Sequence, residues 1–223
     1  MSTIRPFVPL HVHTHYSMLD ATTRVPDLVK IAAENNMPAV AITDHGVMYG
    51  AVELYNTCKG TSVKPIIGAD LYVVDGDITD RSSRQPMHQL VLLCKNEIGY
   101  KNLVKIVSRS HLEGFYYKPR TNWDIIKKHS EGLIALTGDL SGPVARPVLR
   151  GNLEEARDRA KFLKEVFGED LYIELIDHGK EPEYRFSVEA VKIAQELGIE
   201  LVITNDSHFS RPGDETMGAV ILR

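Results

Sequence analysis

Two histidines one residue apart, His11 and His13, lie in the stretch Leu10-His11-Val12-His13-Thr14-His15-Tyr16-Ser17. On a strand, side chains alternate with period two, so both imidazoles face one side. Two neutral imidazoles on one face can share a divalent cation or flank a pair of them. A lone His-x-His also fits a polar strand end bonded to water. What favours metal is recurrence: Asp206 and His208 repeat the same-face spacing, and Asp44-His45, Asp70, Asp139 and Asp177-His178 lie in or just after other short apolar runs.

Those runs define the elements that must hold such residues. Phe7 to His13, Pro38 to Thr43, Lys64 to Val74, His88 to Lys95, Gly132 to Thr137, Asp170 to Ile176 and Ile199 to Thr204 read as seven strands. Between most of them lie segments with a helical apolar period: Pro26 to Asn36, Tyr49 to Cys58, Gly99 to Leu112, Leu153 to Phe167 and Pro182 to Leu197, the last closed by Gly198. Near-continuous apolar strands alternating with helices predict a parallel sheet covered on both faces. Seven such units in 223 residues predict a closed or nearly closed α/β barrel, with an open doubly wound sheet as the alternative. Functional groups in such folds collect at the carboxyl ends of strands, which is where most of the candidates fall. His88 is the exception, because it opens its strand. The polar stretch from Asp75 to Gln85 reads as a surface excursion.

Composition narrows the partners. The net charge of −4 is not that of a protein gripping duplex DNA by its phosphates, so any nucleic-acid contact is local. Phe115-Tyr116-Tyr117-Lys118-Pro119-Arg120 mixes rings with cations, and Tyr117, Lys118 and Arg120 are candidates for stacking bases and holding phosphates; a packed loop is the other reading. Cys58 and Cys94 lack CxxC spacing and sit in apolar contexts, as buried thiols do. No apolar run approaches a membrane span and the first residues lack a secretory signal, which together predict a cytoplasmic protein with no membrane partner.

Four segments, HVHTHYSMLD, ITDHG, KPIIGADLYV and TNDSH, resemble the signatures of the PHP (polymerase and histidinol phosphatase) family. With GYKNL, EGLIALTG and SGPVARPVLRG, the wider pattern resembles the N-terminal PHP domains of bacterial replicative DNA polymerases over nearly the whole chain. The resemblance implies a distorted TIM-like (β/α)7 barrel, one PHP domain over 1–223, and a site for up to three divalent metals: Mn2+, Zn2+, Fe2+ or Mg2+. It implies a phosphoesterase, in replicative polymerases a 3′→5′ exonuclease. The implied partners are a DNA 3′ end, the rest of a polymerase chain and replisome subunits. The apolar pattern at 218–223, cut mid-helix, fits an N-terminal fragment of such a polymerase. Carried over by position, the implied ligands are His11, His13, Asp20, His45, Asp70, His88, Asp139, Asp206 and His208. Asp70 stands where the family usually has the glutamate expected to bridge two metals, and Asp139 where cysteine or histidine is usual. The shorter Asp70 weakens or removes one metal unless the backbone moves in, and the hard oxygen of Asp139 tilts the site away from zinc. Asp44 and His15 are the candidates to orient a water or move a proton; His178 is expected near the substrate or behind a ligand. The alternatives are a non-catalytic module stabilised by metal and a small-molecule phosphatase.

Overall fold

The computed structural model describes residues 6–82, 84–211 and 213–214. The terminal pattern at 218–223 lies outside them. The sheet carries eight strands: β1 (Ala39–Ile42), β2 (Lys64–Val74), β3 (His88–Cys94), β4 (Phe115–Tyr116), β5 (Lys118–Asn122), β6 (Leu133–Leu136), β7 (Leu171–Ile176) and β8 (Glu200–Thr204). Its order is β4-β5-β2-β3-β6-β7-β8, with β1 also paired to β2.

The segment before the first helix closes the ring. Ala41 and Thr43 donate backbone N–H bonds to Pro9 and Val12 carbonyls on one side, and His13 donates to Ser207 while Ser207 donates to His11 on the other. Residues 9–13 thus stand between β1 and β8 and complete the distorted barrel the sequence predicts. They form an isolated bridge, Val12 to Ser207, instead of a strand ladder. Pro6 and Pro9 offer no N–H, which shortens the pairing.

Two strands depart from the parallel expectation: the two-residue β4, antiparallel to β5, and β3. β3 runs antiparallel to both β2 and β6. Among the described residues nothing helical lies between Val74 and His88, and a parallel crossover needs a dozen or more residues, usually a helix. The reversal brings the start of β3 to the rim where the other strands end.

The helices are α1 (Val25–Glu34), α2 (Ala51–Cys58), α3 (Glu97–Leu112), α4 (Trp123–Lys128), α5 (Ala145–Leu149), α6 (Leu153–Phe167) and α7 (Glu181–Leu197). Asn96, Asn122 and Asn152 cap α3, α4 and α6 by accepting from the amides of Gly99, Ile125 and Glu155. Gly198 ends α7 in the left-handed conformation at φ 61°. The main core lies between the sheet and its helices, with Leu71, Val73, Leu90, Leu92, Leu103, Ile106, Leu163, Ile173 and Phe186 buried. A second cluster packs α1 and α2 on Val12, Val40 and Ile42. Inside the barrel, Ala41, Val91, Leu93 and Leu136 form an apolar layer with Leu10, Ile66, Ile134, Tyr172 and Val202. Above that layer the inward positions turn polar: Asp70, Gln89, Glu174 and Thr204.

Candidate metal centre

Four imidazoles meet at the barrel mouth. The His13 ring centroid lies 4.0 Å from His45, 4.4 Å from His208 and 5.0 Å from His11. His11, His13 and Asp70 are buried, while His45, Asp206 and His208 are partly open. Two sets of donor atoms each fall within 4.8 Å of one another: His13, His45 and His208, and His11, His13 and Asp70.

Hydrogen bonds behind the rings decide which nitrogens face inward. His11 donates Nδ1–H to Glu174 Oε1 at 2.8 Å. Ser17 gives its hydroxyl proton to Asp44 Oδ1 at 2.7 Å, so it accepts from His13 Nδ1–H at 3.2 Å. His208 donates Nδ1–H to the Asp206 carbonyl at 2.9 Å. Each of the three therefore directs Nε2 forward, His208 toward Asp20 Oδ2 at 3.2 Å, and would offer its lone pair there once that nitrogen is deprotonated. His11 and His13 Nε2 stand 3.1 Å apart, and Asp206 Oδ1 is 3.3 and 3.1 Å from them. Lone pairs and a carboxylate at that spacing repel unless a proton or a metal ion lies between them. Asp70 Oδ1 is buried with no hydrogen-bond partner. An unfilled acceptor beside convergent imidazoles is what a cation site requires. The donor set fits divalent metal.

Protons take the cation's place in the charge balance. Burial pulls the His11 pKa down, but Glu174, Asp206 and Asp70 overcome it and raise it to about 10. Burial also opposes the charge on His45, yet hydrogen bonds to Asp20 and Asp70 lift it to about 9. His13, with no such carboxylate behind it, is lowered by burial. The His208 and His45 rings at 3.2 and 2.7 Å hold Asp20 well below the usual carboxylate range.

The turn after β1 needs a glycine. Gly46 has φ +65°, and a Cβ there would meet Pro119 Cγ at 2.5 Å. Its absence lets the β4–β5 hairpin approach the rim beside His45. Asp206, also at positive φ (45°), turns its carboxylate into the centre, a conformation aspartate tolerates better than most residues.

The structure thus gathers His11, His13, Asp20, His45, Asp70, Asp206 and His208. Asp139 sits on the flank: it accepts from the Ser141 amide at 2.7 Å and lines, with Glu174 and Asp206, a cavity of about 120 Å3. Burial, reinforced by the Asp206 and Asp70 charges, raises its pKa. His88 is a correction. It pairs with Val73 across the ladder and shares the helix-facing side of β3 with Leu90 and Leu92, 3.6 Å from Asp75 and against Trp123. Alternation puts its neighbour Gln89 on the inner face, where Nε2 donates to Asp70 Oδ2 at 2.8 Å.

The two residues expected to handle protons also stand elsewhere. Asp44 is buried and accepts from the Thr14 amide, the Thr14 hydroxyl and Ser17, so it fixes the 14–17 loop. His15 is exposed and packs on Tyr16. His178 is engaged through both nitrogens, to Glu183 and the Asn205 carbonyl. Arg120 is buried, donating to the carbonyls of Gly114, Ile78 and Asp80, and is no phosphate contact. Tyr117, at the hairpin turn with φ +61°, and Lys118 are exposed. Glu174 was missed by the sequence reading. A charged residue in the apolar run Leu-Tyr-Ile-Glu-Leu-Ile was the available signal, since a buried carboxylate needs a partner.

Comparison with known proteins identifies the family and the fold. The profile of the family described as PHP domain matches residues 9–178. The chain is 39% identical over 226 residues to DNA polymerase III subunit alpha of Borreliella burgdorferi, covering 100% of this chain and 20% of that one. It is 41% identical over 229 residues to the same subunit of Deinococcus radiodurans, covering 98% and 17%. The chain therefore spans about a fifth of the length of these relatives. A protein from Bifidobacterium adolescentis described as a metal-dependent phosphoesterase has the same fold, with TM-score 0.60 and 15% identity over 93% of this chain and 91% of that one. Matched over more than half its length by that profile, the chain belongs to the PHP domain family.

Proposed function

We propose that this chain is a metal-dependent phosphodiesterase acting at the 3′ end of DNA, a 3′→5′ exonuclease serving proofreading within a longer replicative polymerase. The observation that carries it is the convergence of the His11 and His13 Nε2 atoms on Asp206 Oδ1 at 3.3 and 3.1 Å, next to the unfilled Asp70 Oδ1 and beside the His45 and His208 rings. His11, His13, His208, Asp206 and Asp70 would hold the cations, with His45 and Asp20 at the rim and Asp139 on the flank. Two or three ions of Mn2+, Zn2+, Fe2+ or Mg2+ suit this mix of nitrogen and oxygen donors. When bound, they supply Lewis acidity toward water and phosphate. Glu174 and Ser17 hold the imidazoles in their ligating tautomers, and Asp44 holds Ser17. Lys118 and Tyr117 on the adjacent hairpin are the nucleic-acid contacts. The likeness to polymerase subunits supports DNA as substrate, the remainder of a polymerase and replisome subunits as partners, and the cytoplasm as location.

The test is hydrolysis of bis-p-nitrophenyl phosphate and of 5′-labelled single-stranded DNA by protein loaded with Mn2+, Zn2+ or Fe2+. Turnover that disappears in the His11→Ala, His13→Ala double variant is expected. No turnover with any of the three metals overturns the catalytic reading. A second reading, a metal-stabilised module without catalysis, is favoured by one observation: the expected proton-handling residues Asp44 and His15 are tied up or turned out. Bound metal and raised thermal stability without hydrolysis would select it.

A further inference from the structure

Beside the metal centre runs a groove of about 510 Å3, within the range of about 300–1,000 Å3 typical of small-molecule sites. It shares Asp20 and His45 with the centre, so a ligand there touches both. Its walls are aromatic. Tyr16 is held by its hydroxyl, which donates to Glu53 at 2.9 Å, and Tyr49 meets it edge to face at 6.3 Å and 77°. Tyr49 is 61% exposed, so one ring face is open next to a ring that cannot swing away. On the far side, Tyr72 stacks on His45 at 5.8 Å, and the Lys118 ammonium sits 5.1 Å over the same Tyr72 ring. Among the described residues Lys118 has no carboxylate partner. Leu19, at φ +67°, and Met18 hold exposed apolar side chains at the edge. A branched apolar residue in the left-handed region is strained, and such strain concentrates at ligand-binding loops.

We propose that this groove seats a nucleobase, stacked on Tyr49 against Tyr16, while Lys118 holds an adjoining phosphate. The groove fits a flat ring joined to an anionic backbone: an open aromatic face supplies sequence-tolerant stacking, and an ammonium with no carboxylate partner among the described residues supplies phosphate contact. A phosphorylated small molecule without a ring system would leave the aromatic corner empty. The ligand class is therefore single-stranded nucleic acid. This deepens the phosphodiesterase reading and rests on it for which phosphate lies at the metal centre.

The test is fluorescence anisotropy of labelled ten-nucleotide oligothymidylate in EDTA, beside an abasic oligomer of equal length and charge. Tyr49→Ala should weaken oligothymidylate binding about 5- to 100-fold and leave the abasic oligomer within about twofold. Tyr49→Trp should restore it. Lys118→Ala should weaken both oligomers and lower the salt dependence by about one phosphate contact. Equal effects of Tyr49→Ala on both oligomers, or no effect, would overturn the proposal, as would a groove that binds an apolar peptide in competition with no nucleic acid. Because the assay needs no turnover, tyrosine-dependent binding without hydrolysis would retain the groove and reject the exonuclease, and hydrolysis with Tyr49-independent binding would do the reverse.

Discussion

Glu174 shows how much of this centre rests on a residue that touches no substrate. Its Oε1 accepts from His11 Nδ1–H and from the Thr204 hydroxyl, both within the barrel. Glu174→Gln keeps the size and an acceptor oxygen but removes the charge that would make His11 a strong ligand in the proposed centre. Metal affinity measured by calorimetry should fall about 10- to 100-fold with circular dichroism unchanged. Unchanged affinity would mean that Glu174 only packs. Gln89 and His88 give the complementary pair. His88→Ala should leave metal content, by mass spectrometry, as in the parent protein, whereas Gln89→Ala should alter it by freeing Asp70 Oδ2. The reverse result would return His88 to the ligand set. The distinction was within reach of the sequence: Val91 and Leu93 line the interior, and Gln89 shares their parity while His88 does not. Resemblance and alternation disagree at that position, and the strand register follows alternation.

At the scale of elements, the histidine pairs, the Asp44-His45 turn and the Asp206-His208 end were legible because each stands at the end of an apolar run, and apolar runs mark strands reliably. The direction of β3 was harder to read, though the helix-free stretch before it carried the signal. The β4–β5 hairpin was read as a loop of rings and cations. Its two-residue β4 is too short for periodicity to register, and nothing local says that Arg120 turns inward. That arginine is a clamp: its guanidinium ties β5 to the carbonyls of Gly114, Ile78 and Asp80. Arg120→Ala leaves the Ile78 and Asp80 carbonyls without that donor, strips Gly114 of one of two, and opens a cavity, so urea denaturation should show a loss of about 3–5 kcal/mol. Oligonucleotide affinity measured well below the unfolding midpoint should stay unchanged. A selective loss of DNA binding without destabilisation would reinstate Arg120 as a phosphate contact.

For the whole molecule, the centre is where the ring closes. Residues 9–13 join β1 to Ser207, and the same segment supplies His11 and His13, so cation binding and barrel closure draw on one set of contacts. The sequence names the candidate ligands but does not show that the first and last of them, His11 and His208, lie at the seam where residues 9–13 meet Ser207. Metal held by these groups would couple to global stability, and the pH dependence should have opposite sign with and without it. Without metal, His11 and His45 have pKa values raised to about 10 and about 9 by the carboxylates around them, against about 6.5 in an unfolded chain. Their contribution is full below about pH 6.5 and is lost as pH climbs through about 9 to 10, because the folded state binds more protons than the unfolded one across that window. With metal, the same nitrogens must shed protons to coordinate, so affinity grows as pH rises. In EDTA, the denaturation free energy should decline from pH 6.5 to 9. With saturating Mn2+ it should decline less or rise, and the gap between the curves should widen with pH. At pH 7 a ligand at 100 times its dissociation constant adds about 2.7 kcal/mol, or roughly 5–11 °C in midpoint for a chain of this size. Calorimetry in buffers of different ionisation enthalpy should register proton release on binding. Parallel curves and no released protons would show that the ions bind elsewhere than at these imidazoles.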